Sequence, residues 1–283
     1  MEKITLHNNL QFPQLGFGVF QITDQRICEE SVLSALRTGY RLLDTAACYD
    51  NERAVGTAIK RSGLKREEIF ISSKVWIQDA GYEKTKASFF KTLANLQIDY
   101  LDLYLIHMPY GDYHASWRAM EELYHAGKIK AIGVCNFMPD RLIDLILSHD
   151  TPPMINQIEL HPFCQQKRLR EIMRAYQIIP MAWAPFAEGR ENIFNNAALQ
   201  HIGAAYNKST AQVILRWLRQ EGIIAIPKSV HPERIEQNFA IDDFTLSTAD
   251  IVQIRALDYG RNLILDVPNI NEVYRLHAIH FEQ

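Results

Sequence analysis

The chain alternates between short apolar runs and longer segments with helical periodicity, and this alternation restricts its fold more than any other feature. The eight apolar runs are LGFGVF, RLLDTA, IFISSKVW, LDLYLIHM, IKAIGVCNF, MINQIEL, IIPMAWAP and GIIAIPKS. They recur roughly every 25 to 30 residues, apart from a longer gap before the last, which leaves room for a strand, a loop and a helix. Near-continuous apolar runs are typical of parallel strands covered by helices. The sequence therefore predicts a (β/α)8 barrel.

The main alternative is an open doubly wound sheet, which often carries G-x-G-x-x-G after its first strand. Here the first run continues from Gly16 as GFGVFQ, so the third glycine is missing, and the pattern favours the barrel. The preceding segment ITLHNNLQF alternates around Asn8 and Asn9, which predicts a hairpin that caps the bottom of the barrel.

Helical signals and the lack of a linker complete the expected organisation. The segments with the clearest helical pattern are ICEESVLSALRTG with its stop signal Gly39, YEKTKASFFKTLANLQ and HASWRAMEELYHAGK. No low-complexity stretch or boundary divides the chain, so we expect one barrel domain over residues 1–283. The tail after Asp258 has few signals, and we expect it to wrap over one face of the barrel.

Composition narrows the class of protein. The chain is 47% hydrophobic and 22% charged, with a net charge of −3 and no long run of one sign. This balance is typical of a soluble globular protein and predicts binding to neither nucleic acid nor membrane. The N-terminal MEKITLHNNL lacks the apolar core of a signal peptide. The four cysteines are widely spaced, which predicts neither a disulfide framework nor a metal site, and we expect a cytoplasmic protein.

Three consecutive runs end in side chains that can carry chemistry, namely Asp44, Lys74 and His107, and Tyr49 follows the first of them in DTAACYDNE. Barrel enzymes place their chemistry at these strand ends. A buried Lys74 needs the carboxylate of Asp44, and a cation beside Tyr49 lowers the pKa of the phenol. Tyr49 could then donate a proton, while His107 donates a hydrogen bond to a developing oxyanion.

Each of these residues also has an ordinary structural explanation. Asp44 could cap the next helix, Lys74 could be solvated, and Tyr49 and His107 could be packing residues. Their joint placement at successive strand ends favours a functional site.

Longer motifs in the same order resemble the aldo-keto reductase family, in particular its bacterial 2,5-diketo-D-gluconate reductase and aldehyde reductase branch. The matching strings are DTAACY with NE following, ISSKVW, LDLYLIHMP, GVCNF, NQIELHP and IPKSVHPERIEQN. The resemblance covers nearly the whole chain. It implies a catalytic tetrad at Asp44, Tyr49, Lys74 and His107. Tyr49 would be the general acid, Lys74 paired with Asp44 would lower its pKa, and His107 would orient the carbonyl.

The resemblance also implies NADPH as the cofactor, lying extended across the barrel mouth. Its binding residues would be Asn136, Gln157 and Trp183 at the nicotinamide, Lys228, Ser229 and Arg234 at the 2′-phosphate, and Asn238 at the adenine. Two cations and a hydroxyl suit a dianionic phosphate. Cys135 stands where serine is usual, and a thiol is a weaker hydrogen-bond partner.

The substrate is expected to be a small carbonyl compound in a pocket formed by Phe20, Trp76, His107 and Met108, with Tyr110 and its loop as a further wall. The branch implies 2,5-diketo-D-gluconate, methylglyoxal or simple aldehydes as substrates. Many relatives are monomers, so the resemblance also implies a monomer. One alternative is a regulatory barrel that binds NADPH with little turnover, which would predict loss of a tetrad residue. Another is an aldolase that uses Lys74 as a Schiff base, or a barrel hydrolase.

Overall fold

Within residues 2–281, which the computed structural model describes, a ring of eight parallel strands follows an antiparallel hairpin. The hairpin strands are β1 Lys3–Thr5 and β2 Gln11–Pro13. The strands of the ring are β3 Phe17–Gly18, β4 Leu42–Asp44, β5 Phe70–Val75, β6 Leu103–Ile106, β7 Ile132–Cys135, β8 Ile155–Glu159, β9 Ile179–Trp183 and β10 Ile224–Ala225. Each pairs in parallel with the next along the chain, and each coincides with one of the eight apolar runs.

The ring closes between its last and first strands. The amide of Gly16 donates to the carbonyl of Ala225 (2.9 Å), and the amide of Ala225 donates to the carbonyl of Gln14 (3.0 Å). The amide of Gly18 donates to the carbonyl of Pro227 (3.0 Å). A closed parallel sheet has no unpaired edge, so the (β/α)8 barrel is confirmed and the open doubly wound sheet is excluded.

Helices cover the outside of the barrel, except for the last one, which lies in the segment that crosses its mouth. They are α1 Gln25–Thr38, α2 Glu52–Ser62, α3 Tyr82–Leu96, α4 Tyr113–His125, α5 Pro139–Ser148, α6 Lys167–Ala175, α7 Ala197–Tyr206, α8 Thr210–Gln220, α9 Pro232–Phe239, α10 Thr248–Arg255 and α11 Ile270–His277. The three helices with the clearest sequence signals are confirmed as α1, α3 and α4. Helix α1 stops at Gly39, whose φ of 120° suits glycine because it has no Cβ.

The hairpin lies at the bottom of the barrel, as the sequence predicted. Its side chains Leu6 and Phe12 are buried in one apolar cluster with the barrel residues Leu103, Ile155 and Ile224. The interior is therefore filled from below, and the opposite mouth is the end at which barrel enzymes place their active sites.

A buried carboxylate ties the lower ends of neighbouring strands together. Asp102 is 1% exposed and accepts hydrogen bonds from Arg66 (2.7 Å) and from the amide of Ile71 (3.0 Å). Lys130 forms a further ion pair with it (3.0 Å). A buried carboxylate with three donors is strongly held, whereas a carboxamide would carry no charge and would offer one acceptor oxygen in place of two.

The C-terminal segment crosses the mouth, which confirms the expected wrapping for residues up to 281. Glu282 and Gln283 lie outside the described residues. Tyr110 donates to the carbonyl of Val267 (2.6 Å), and Trp76 donates to the carbonyl of Ile279 (3.1 Å). None of the described helices is long and apolar enough to cross a membrane.

We expect Asp102→Asn to lower the free energy of unfolding by about 2 kcal/mol, because a buried ion pair is broken while its cations remain. Urea denaturation measures the change, with Asp99→Asn at a nearby exposed site as the control. Equal stabilities of the two variants would contradict a structural role for the carboxylate.

Candidate active site

The ammonium of Lys74 is completely buried at the barrel mouth and has three oxygen neighbours. Its Nζ lies 2.7 Å from Asp44 Oδ2 and 2.8 Å from the carbonyl oxygen of Thr45. The third neighbour is the phenol oxygen of Tyr49, at 3.4 Å. Burial by itself lowers the pKa of Lys74, but Asp44, together with Tyr49 and Cys135, outweighs it and holds the pKa above its ordinary value. Lys74 is therefore a permanent cation beside the phenol.

Strand geometry explains why Asp44, Lys74 and Tyr49 lie together. Asp44 is the last residue of β4, and Lys74 is near the end of β5, the strand that pairs with it. Tyr49 follows in a short 3₁₀ turn, Ala47–Tyr49, which returns its ring over Lys74 at 4.9 Å from Nζ to the ring centroid. Asp44 does not cap a helix, since both its carboxylate oxygens bind side chains of other strands.

The pKa of Tyr49 shifts in the direction opposite to the one that the sequence predicted. Burial of the phenol raises its pKa above the ordinary value, and Lys74 opposes this with a smaller lowering effect. The predicted contribution of Lys74 is present, but the predicted net lowering is wrong because the cost of burying a phenolate is larger. Tyr49 is thus protonated at neutral pH, as a proton donor must be.

His107 follows β6 and faces Tyr49 across the same space. The ring centroids of His107 and Tyr49 are 5.6 Å apart, and Trp76 packs edge-on against the imidazole at 4.9 Å. Burial lowers the pKa of His107 well below its ordinary value, and Lys74 lowers it further. The imidazole is therefore neutral and carries one N–H donor.

Cys48 lies against the imidazole, a contact that the sequence analysis did not identify. Its Sγ is 3.5 Å from His107 Nδ1. Burial raises the pKa of the thiol to about 12, so the sulfur keeps its proton. Donation of S–H to Nδ1 favours the tautomer in which Nε2 carries the imidazole proton.

Two buried amides extend the network beyond the four central residues. Gln157 on β8 donates from Nε2 to Asp44 Oδ1 (3.0 Å). Asn136 follows β7 with a φ of 62°, donates to the carbonyl of His107 (3.2 Å) and accepts from Trp183 Nε1 (2.9 Å). The residues that the sequence assigned to nicotinamide binding are thus next to the central four.

Cys135 adds little polarity to this group. Its sulfur is 4.0 Å from Gln157 Oε1, and burial raises the pKa of the thiol above its ordinary value. A neutral, buried thiol is a weak hydrogen-bond partner, in keeping with the sequence expectation.

A cavity of about 550 Å³ opens directly above these residues. Phe20, Trp76, His107 and Met108 line it, as the sequence predicted. A further wall comes from the C-terminal segment, through Ile264, Leu265, Leu276 and Ile279, and another from the loop after β9, through Pro185, Phe186, Glu188 and Phe194. The walls are mainly apolar, and the polar groups gather at the floor.

Tyr110 does not line this cavity, which corrects the sequence expectation. Its hydroxyl is used to hold the C-terminal segment at Val267. The tail occupies the position that the loop of Tyr110 was expected to fill.

The residues after β10 run outward from the same cavity. Lys228 lines its edge, while Ser229 and Asn238 are buried. Arg234 and Asn238 lie four residues apart on α9 and therefore share one face. The side chains of Lys228 and Arg234 have no ion-pair or hydrogen-bond partner in the part of the chain that the structure describes. Two uncompensated cations there can receive an anion.

Comparisons with known proteins agree with this architecture. The model of the aldo/keto reductase family matches residues 14–259. Glyoxal reductase of Bacillus subtilis (strain 168) is 48% identical over 258 residues, which cover 91% of this chain and 93% of the relative. Methylglyoxal reductase DkgA of Escherichia coli (strain K12) is 40% identical over 263 residues, covering 92% and 94%.

Among solved structures, an aldo-keto reductase of Bombyx mori in complex with NADP is similar to this chain with a TM-score of 0.88 and 29% identity. The match covers 94% of this chain and 95% of that one.

We expect the imidazole of His107 to remain neutral between about pH 5 and 8, because burial and Lys74 both lower its pKa. ¹⁵N NMR of the ring nitrogens measures this and also reports the tautomer, which Cys48→Ala should leave mixed. Free histidine in the same buffer is the control. A ring signal that titrates near the ordinary histidine pKa would contradict the assignment.

Proposed function

The chain belongs to the aldo/keto reductase family, and we propose that it reduces aldehydes or ketones to alcohols with NADPH. The observation that carries the proposal is the contact between the buried Lys74 ammonium and the phenol of Tyr49, beside a neutral His107 at the floor of an apolar cavity. A protonated acid and a neutral hydrogen-bond donor on one side of a cavity suit reduction of a carbonyl.

These residues can supply the proton that the carbonyl oxygen needs. As the carbonyl oxygen gains negative charge, Tyr49 donates its hydroxyl proton to that oxygen and becomes a phenolate. Lys74 stabilises the phenolate at 3.4 Å until solvent returns a proton. Reduced nicotinamide, when bound, supplies the hydride that forms the new C–H bond.

His107 orients the carbonyl. With Cys48 donating to Nδ1, the remaining imidazole proton is on Nε2 and is available to the carbonyl oxygen. Trp76 packs against the ring edge-on and restrains its rotation. Two donors, Tyr49 and His107, would then converge on one oxygen and stabilise its developing charge.

The residues at the mouth fit a nicotinamide dinucleotide. Asn136 and Gln157 offer buried amides for a carboxamide, and Trp183 offers an aromatic face at the cavity wall. Lys228 and Arg234 are cations without protein partners, and the buried hydroxyl of Ser229 lies between them in sequence. A 2′-phosphate would compensate both charges, so we propose NADPH over NADH.

The substrate class follows from the cavity and the relatives. Apolar walls and a small polar floor accept many carbonyl compounds and select weakly among them. Similarity to a glyoxal reductase and a methylglyoxal reductase supports small aldehydes and dicarbonyl compounds, with 2,5-diketo-D-gluconate as a further candidate.

The other functions considered fit less well. A regulatory barrel without turnover would not need the four central residues, and all of them are present. An aldolase needs a neutral lysine as nucleophile, whereas Asp44 holds the pKa of Lys74 above its ordinary value.

We expect Tyr49→Phe to lower kcat for methylglyoxal by about 10³-fold, because the variant keeps the packing of the ring and loses only the acid proton. The assay follows NADPH absorbance over a panel of aldehydes. Tyr176→Phe, at an exposed site away from the cavity, is the control. Wild-type rates in Tyr49→Phe would rule out the acid role.

Arg234→Ala should raise the Michaelis constant for NADPH by roughly 10- to 100-fold, because a charge-assisted contact to the 2′-phosphate is lost. The constant for NADH, which lacks this phosphate, should change little. Arg168→Ala, an exposed arginine on α6, serves as the control. Equal effects on the two cofactors would refute the phosphate assignment.

A further inference from the structure

A fully buried carboxylate at the barrel mouth has no part in the proposed proton transfer. Glu159 is the last residue of β8, its side chain is 0% exposed, and it does not line the cavity. No lysine or arginine among residues 2–281 lies within ion-pair distance of it. A buried negative charge without a lysine or arginine partner must be compensated by hydrogen-bond donors.

The compensation comes from the backbone of the C-terminal segment, about a hundred residues further along the chain. Glu159 Oε1 accepts from the amides of Leu263 (2.6 Å) and Ile264 (3.2 Å). Its Oε2 accepts from the amides of Ile264 (3.2 Å) and Leu265 (3.1 Å). Three successive N–H groups that converge on one anion form a strong electrostatic contact.

The remaining neighbours of Glu159 hold the carboxylate and the C-terminal segment in place from the barrel side. His161 Nε2 lies 3.1 Å from Glu159 Oε1 and must donate, since an ionised carboxylate only accepts. Gln166 donates to the backbone carbonyl of Glu159 (3.2 Å) and to Asn262 Oδ1 (2.8 Å). Asn262 in turn donates to the carbonyl of Leu265 (2.6 Å).

The backbone held by these hydrogen bonds bears side chains that form one wall of the cavity. Ile264 and Leu265 line the cavity, and Leu265 packs with Val267 and Leu276 against Trp76 and Met108. Residues 261–268 contain no helix or strand, so their amides have no ladder partners. The amides of residues 263–265 instead depend on the carboxylate of Glu159, while the carbonyls of Leu263 and Val267 are held by Arg190 and Tyr110.

We propose that Glu159 is the positioning residue that fastens the C-terminal segment, and with it the apolar wall of the substrate cavity, to the end of β8. The wall favours carbonyl compounds with a bulky apolar substituent, which contact Leu265, over small aldehydes, which do not reach it. The effect on substrates rests on the proposed reductase function, but the fastening itself does not.

Hydrogen exchange followed by mass spectrometry tests the fastening without substrate or cofactor. In Glu159→Gln the carboxamide presents an N–H₂ group to amides that need an acceptor, so exchange over residues 261–266 should be at least roughly tenfold faster. Exchange in the barrel strands should keep its wild-type rate. Glu171→Gln, an exposed glutamate on α6, is the matched control.

Kinetics test the consequence for substrates. The Michaelis constant of Glu159→Gln for 4-nitrobenzaldehyde should rise roughly tenfold, and that for methylglyoxal should rise much less. Leu265→Ala should reproduce the kinetic change while leaving exchange at residues 263 and 264 slow, because it removes the wall and keeps the carboxylate contact.

Wild-type exchange in Glu159→Gln, or faster exchange spread evenly over the whole chain, would overturn the proposal. If that variant does not fold, Glu159→Asp takes its place. It keeps the negative charge but is one methylene shorter, so its oxygens no longer reach all three amides, and unchanged exchange there would also overturn the proposal. If the protein reduces no carbonyl compound, the proposed function fails while the exchange result still decides the role of Glu159.

Discussion

The burial of one ammonium ion governs the arrangement of the site. Lys74 has no exposed surface, and an unpaired cation in that position would be very costly. Asp44 supplies the opposite charge at 2.7 Å, and Gln157 holds the second oxygen of that carboxylate. Tyr49 lies beside this cation but takes no part in the ion pair between Lys74 and Asp44. The residues that compensate the buried ammonium are therefore the same ones that place a cation beside the phenol of Tyr49.

Burial shifts the pKa values of the two ionisable groups that face the cavity in opposite directions, whereas the charge of Lys74 lowers both. Burial raises the pKa of Tyr49 and lowers that of His107, so each is held in its neutral form. Lys74 reduces the shift of Tyr49 and increases the shift of His107. At neutral pH, the cavity floor therefore offers one O–H and one N–H, which is suited to giving a proton to a carbonyl rather than taking one from an alcohol.

The sequence was sufficient to predict those parts of the fold and the site that depend on a local pattern of residues. The eight apolar runs predicted the strands, and the strand ends then placed Asp44, Lys74 and His107 at one mouth, because parallel strands in a closed barrel end on the same side. The sign of the Tyr49 shift was missed because burial depends on packing from distant parts of the chain. The role of Glu159 was missed because its partners are backbone amides of Leu263 to Leu265, in a segment without periodicity. Tyr110 was misplaced because the tail, not its own loop, completes the cavity.

A double-mutant cycle on kcat tests most directly whether Lys74 acts through Tyr49. Lys74→Met and Tyr49→Phe are compared singly and together under saturating NADPH, with circular dichroism to verify folding. If the ammonium serves the phenol, the double variant is no slower than Tyr49→Phe alone. Independent, multiplicative losses would contradict the coupling of these two side chains.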